Sequence, residues 1–101
     1  DLSEEDLVAA GCITYGEDVK AVTSYVSENS VDCGVIYQTD AYSAQLEVVD
    51  TATADMCGQV IYPAAVMNGT SNAELAQAFL DFCTTDEASA IFEAVGFTPL
   101  A

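Results

Sequence analysis

The chain has 101 residues, one domain's worth, and 51% of them are apolar, which together with short polar breaks argues against disorder. Seventeen carboxylates face a single base, Lys20, with no Arg and no His, for a net charge of −16. Such a surface repels phosphate backbones and anionic headgroups, so nucleic-acid and membrane-surface partners are excluded, and no apolar run nears the ~20 residues that would insert into a membrane.

The same census narrows the chemistry. Without His there is no Ser-His or Cys-His pair and no zinc site of the usual kind. No Gly-rich phosphate loop is present, and scattered acids on an acidic surface are solvated rather than catalytic. No enzyme, resident cofactor or metal is expected. A small anion would have to be held by backbone N–H groups, hydroxyls and helix N-termini, because cations are almost lacking. Cys12, Cys33, Cys57 and Cys83 contain no Cys-x-x-Cys. In an oxidising compartment they allow two disulfides with three pairings, and the alternative is buried free thiols.

In chain order, Ser3-Glu-Glu-Asp6 opens like a capped helix with acids in its first turn, continuing to Gly11. Before it stands Asp1-Leu2, with no Met and no signal-peptide pattern, which leaves a mature chain, a trimmed one or a fragment open. Cys12 to Tyr15 is a short strand candidate. Gly16-Glu-Asp18 turns the chain into a helix on which Val19, Val22 and Val26 share one face with Ala21 and Tyr25 beside them, ending at Asn29.

Val31 to Ile36 has the length and β-branching of a buried strand, and Gln38-Thr39-Asp40 supplies a polar stop and a helix cap. Tyr37 therefore sits at a strand's carboxyl edge, where α/β proteins place ligands; the plain alternative is a core strand ended by a surface Tyr. Asp40 to Ala44 makes a helical turn at most, Gln45 to Asp50 alternates as a half-exposed strand, and Thr51 to Gly58 is a loop. Val60 to Met67 is a second apolar run in which Pro63 demands an edge or a bend. Asn68-Gly-Thr matches a glycosylation sequon but reads as a turn. Ser71-Asn-Ala-Glu74 predicts a capping box behind which Leu75, Phe79, Leu80 and Cys83 are buried. Thr84-Thr-Asp-Glu87 predicts another, leading to Ala88, Ile91, Phe92 and Val95, with Gly96 ending the helix and Phe97 to Leu100 an extended tail. Strands alternating with helices make an α/β layer protein.

Gly16-Glu-Asp-Val-Lys-Ala-Val, Val31-Asp-Cys-Gly-Val-Ile-Tyr-Gln-Thr-Asp-Ala and Val60-Ile-Tyr-Pro-Ala-Ala-Val come in that order, followed by Ala78-Phe-Leu-Asp-Phe, Asp86-Glu-Ala and Ile91-Phe-Glu-Ala-Val-Gly-Phe. Over roughly residues 12 to 100 this resembles the carboxyl-terminal part of the molybdate-binding proteins of ABC importers, of the type II periplasmic-binding-protein class. The resemblance implies a two-lobe α/β fold closing on a tetrahedral oxyanion, molybdate or tungstate. Residues 1–67 would belong to the second lobe, and 68–101 would be a helix pair returning to the first. Val60 to Met67 would cross between lobes, and a central strand of the second lobe would be missing between 12–15 and 33–37.

By the same resemblance the anion is held by the backbone N–H of Val19 and the phenol of Tyr37, with Asp18 and Thr39 as neighbours. Asp18 stands where the family usually has Asn, and is expected to cap the helix with its carboxylate turned away; Lys20 replaces the usual Arg and is expected to be peripheral. The implied partner is an ABC permease and the implied location extracytoplasmic, in the periplasm or at the cell surface. A sensory or orphan binding module of the same fold is the alternative. Unpaired strand edges lead us to expect self-association of the chain.

Overall fold

A computed structural model describes residues 2–100. Among them are six helices and no strand, and contacts concentrate within two units divided between Leu46 and Glu47.

In the first unit Ser3 caps α1 (Glu4–Ala9), as its sequence predicts: the Asp6 N–H donates to the Ser3 hydroxyl oxygen at 3.1 Å, and Ser3 returns its N–H and O–H to the Asp6 carboxylate. These bonds, the side-chain one foremost, hold the Asp6 carboxyl below its ordinary range. Gly11, at φ 70°, closes the helix with the left-handed turn that glycine adopts without strain. Asp18 caps α2 (Val19–Ser27), whose apolar stripe of Val19, Ala21, Val22, Tyr25 and Val26 is half-buried throughout. α3 (Gln38–Ser43) packs on α2 and carries the unit's one buried hydrophobic residue among those described, Ala41. α3 is longer than the single turn expected. Its N-cap is Tyr37, so Asp40 is not the cap but the third helical residue, reaching back to the Tyr37 N–H at 3.3 Å.

In the second unit the expected loop at 51–58 contains one helical turn, α4 (Ala54–Cys57). Met67 to Thr70 is the predicted turn, with Gly69 at φ 80°. α5 (Ala73–Cys83) packs against α6 (Asp86–Ala94), around a buried Ala88. The predicted capping boxes do not form. α5 starts one residue late, with Asn72 at the N-cap and no side-chain cap bond, which puts Glu74 out of register for the reciprocal bond. α6 is capped by Thr85, whose hydroxyl accepts from the Ala88 N–H at 3.3 Å; Ala88 holds the position a Glu would need. Gly96 ends α6 at φ 92°, with the Gly96 N–H bonded to the Glu93 carbonyl and the Phe97 N–H to the Phe92 carbonyl. Phe97 then meets the edges of Tyr62 and Phe92, with ring centroids 5.3 and 6.1 Å away, tying the tail to the 60–67 run.

Four expected strands, 12–15, 31–36, 45–50 and 60–67, run as chain without a ladder, so the α/β layering is not formed among the described residues. The physical reason is that β propensity measures the fit of a side chain to a pleated, half-buried surface, and a strand exists only with a partner. Surface area tells the same story. A chain of this mass is expected to bury roughly 60–65% of an unfolded area of about 15,400 Å², yet it exposes 8561 Å². The expected burial of Leu75 and Phe79 fails too: they are 73% and 64% exposed, and the covered stripe of α5 is Ala76, Leu80 and Cys83. The cysteines are unpaired, with Cys12, Cys33 and Cys57 exposed rather than buried and Cys83 half-buried.

Candidate functional site

The start of α2 is built by Asp18. Its backbone is extended (φ −152°, ψ 175°) and its carboxylate accepts from the Ala21 N–H at 2.8 Å, while its carbonyl takes the first intrahelical bond from Val22. Capping consumes the third of the N–H groups a helix start leaves open. The N–H groups of Val19 and Lys20 have no acceptor among the described residues. Both lie at the positive end of the helix dipole, and the nearest carboxylate is engaged by the helix itself. Such an arrangement offers two neutral donors to an anion.

The position of Tyr37 follows from the same helix. Gly34 lies so close to α2 that a Cβ there would stand 2.8 Å from Val26 Cγ2 and 2.9 Å from Val22 Cγ1. Gly16 lies equally close on the other methyl of Val22, where a Cβ would come within 2.6 Å. The segments preceding and following α2 are thus both seated on Val22. Val19 leads the helix, and Tyr37 ends the second of these segments before the chain turns into α3. The Tyr37 ring is 47% exposed and Thr39, in the first turn of α3, is half-buried. All four predicted site residues lie in the first unit, at the starts of two helices that pack together.

Lys20's backbone N–H is a donor the sequence reading passed over; the signal was its place as second residue after a capping Asp. Gly16 and Gly34 were also passed over, although a glycine inside a strand-like run marks close approach of another backbone or helix. Tyr15 donates its hydroxyl to Glu4, and this bond, with the burial and charge that accompany it, pushes the Tyr15 phenol above its ordinary value. No group of three or more Cys, Asp or Glu among the described residues is arranged to hold a metal ion. An open apolar hollow on α5, lined by Leu75, Ala76 and Phe79, includes none of the site residues.

The family model for bacterial extracellular solute-binding proteins matches residues 5–98. The chain belongs to that family. It is 41% identical over 87 residues, 85% of its length, to YvgL of Bacillus subtilis, a candidate ABC transporter substrate-binding lipoprotein. It is 36% identical over 83 residues, 81% of its length, to the molybdate-binding protein ModA of Escherichia coli, and 31% identical over 84 residues, 82% of its length, to that of Haemophilus influenzae. The resemblance to molybdate-binding proteins read from the residues is borne out by these matches. The chain spans about a third of the length of these relatives (34%, 32% and 33%). No solved structure matches it. Among the described residues no helix is long and apolar enough to cross a membrane.

Proposed function

We propose that this solute-binding segment belongs to the substrate-binding component of an ABC importer and serves a tetrahedral oxyanion, molybdate or tungstate. The observation that carries the reading is the start of α2, where two unpartnered N–H groups sit beside an acid already committed to its helix, in a chain 36% identical to a molybdate-binding protein. Tyr37 adds a hydroxyl donor and Thr39 borders it. Neutral donors suit an anion that is bound and later released to a permease, the membrane partner of this reading. The work is binding, not catalysis, and its place is outside the cytoplasm.

In the proposed whole protein the extended segments 12–15 and 31–36 become strands of the second lobe's sheet, which restores the α/β layer. Residues 1–67 form that lobe's portion and 68–101 return to the first lobe. Lobe closure then surrounds the anion with donors from both sides. A dehydrated dianion needs several converging hydrogen bonds, and this chain supplies one side only.

A chimera in which this chain replaces the matching third of the Escherichia coli molybdate-binding protein tests the reading. Calorimetric titration with molybdate should give an affinity within tenfold of the parent, whereas equilibrium dialysis of the chain alone should show no micromolar binding. A folded chimera that ignores molybdate and tungstate, or tight binding by the chain alone, would overturn it.

A further inference from the structure

The N–H groups of Val31 to Ile36 find no acceptor among the described residues. An extended run whose backbone groups are unpaired is a template for another strand. Gly34 faces α2, so Asp32, Gly34 and Ile36 share the α2 side and Val31, Cys33 and Val35 the other. On that other side Val35 is 95% exposed and Cys33 is exposed. A β-branched apolar residue left almost wholly in water, on an unpaired edge, calls for cover.

We propose that Val31–Ile36 is a self-pairing edge through which two copies of this chain associate, antiparallel about a two-fold axis at Cys33. The area favours a second copy. A folded monomer of this mass exposes about 5,500 Å², and two separately folded units about 6,600 Å². The chain's 8561 Å² leaves an excess of about 2,000 Å², more than the ~800 Å² each partner gives to a stable interface.

Symmetry sets the register. A two-fold axis through an antiparallel pair places one residue opposite its own copy. With Cys33 at that point, Val31 lies opposite Val35 of the second copy and Asp32 opposite Gly34. The outer face then gains three apolar cross-strand pairs, and no carboxylate opposes a carboxylate. Each Asp32 meets a residue without a side chain, so the one charge of the segment does not oppose pairing, although the chain as a whole carries −16. The general repulsion makes association stronger as salt rises.

Residues opposite one another in an antiparallel pair have Cα atoms about 4.5 or 5.5 Å apart, inside the range a disulfide spans. The test uses the full 101-residue chain with Cys12, Cys57 and Cys83 changed to Ser, oxidised with a glutathione disulfide buffer. Light scattering on the unmodified chain under reducing conditions should report a dimer at about 100 µM, a concentration that fills any interface of low-micromolar Kd. Oxidation should trap most of the Cys33-only chain as a covalent dimer. Adding Val35→Lys, at a position the single chain leaves in water, should cut the trapped yield at least fivefold. A companion chain keeping only the equally exposed Cys57 should crosslink at least fivefold less. A monomer by scattering, an unfolded chain, equal yields from Cys33 and Cys57, or indifference to Val35→Lys would each overturn the proposal.

Discussion

Two helices of similar amphipathic character have met different fates. The stripe of α2, Val19 to Val26, is covered along its length by the segments before and after it, seated through Gly16 and Gly34. α5 has two apolar stripes: Ala76, Leu80 and Cys83 face α6, while Leu75, Phe79 and Phe82 stay 40–73% exposed. Apolar periodicity tells which residues can be buried together, not whether the chain contains what covers them. Where two glycines let neighbouring backbone come close, the chain completes its own packing. Where the neighbour is a single antiparallel helix, half the apolar surface is left over.

The sharpest way to break this comparison is to fill the close approach at α2. Gly16→Ala or Gly34→Ala puts a methyl against Val22, within 2.6 and 2.9 Å respectively, and overpacking of this kind costs about 1–3 kcal/mol. Denaturant unfolding should show the loss, and Val22→Ala should relieve part of it in a double-mutant cycle. Additive effects would mean that α2 is not held in this way. In α6, Gly96→Ala meets a φ of 92° and should cost about 1 kcal/mol, as should removal of the Thr85 cap by Thr85→Ala. Phe79→Ala should change stability by no more than about 0.5 kcal/mol, because an exposed ring has little to lose; a loss of about 3 kcal/mol, the value for a buried Phe, would show that the α5 face is covered in solution.

The smallest expected effect is at α1. The Asp6 carboxyl is held low by Ser3, so its contribution is present above the ordinary carboxylate pKa and fades as pH falls through the lowered value. Ser3→Ala should return the Asp6 titration, followed by NMR, towards the ordinary value. An unchanged titration would show that the cap is not what holds it.

How far the sequence spoke depends on the range of the interaction. Helix ends are local, and Ser3, Asp18, Asn29 and Gly96 end their helices as their side chains and φ preferences require. Caps chosen by pattern alone slipped by one residue at Asn72 and Thr85, since several adjacent polar residues can each cap. Strands are non-local: the β-branched run at 31–36 is legible as a candidate, but a ladder needs a second strand that no local pattern supplies. For the site, Val19 and Tyr37 came from a resemblance, and helix-start physics adds the reason at Val19 and extends it to Lys20. Nothing in the spacing marked Tyr37 beyond its place at the end of an apolar run.

The central claim is that this chain carries one side of an oxyanion site, and its most direct test is Tyr37→Phe in the chimera with the Escherichia coli molybdate-binding protein. The ring is kept, so thermal unfolding without ligand should be unchanged. Loss of one hydrogen bond to a charged ligand should weaken molybdate binding by about 1.5–3 kcal/mol in a calorimetric titration. Asp18→Asn in the same chimera should leave affinity within a few tenths of a kcal/mol, because both residues cap and neither faces the anion. Unchanged affinity on losing the Tyr37 hydroxyl would remove Tyr37 from the site and contradict the account.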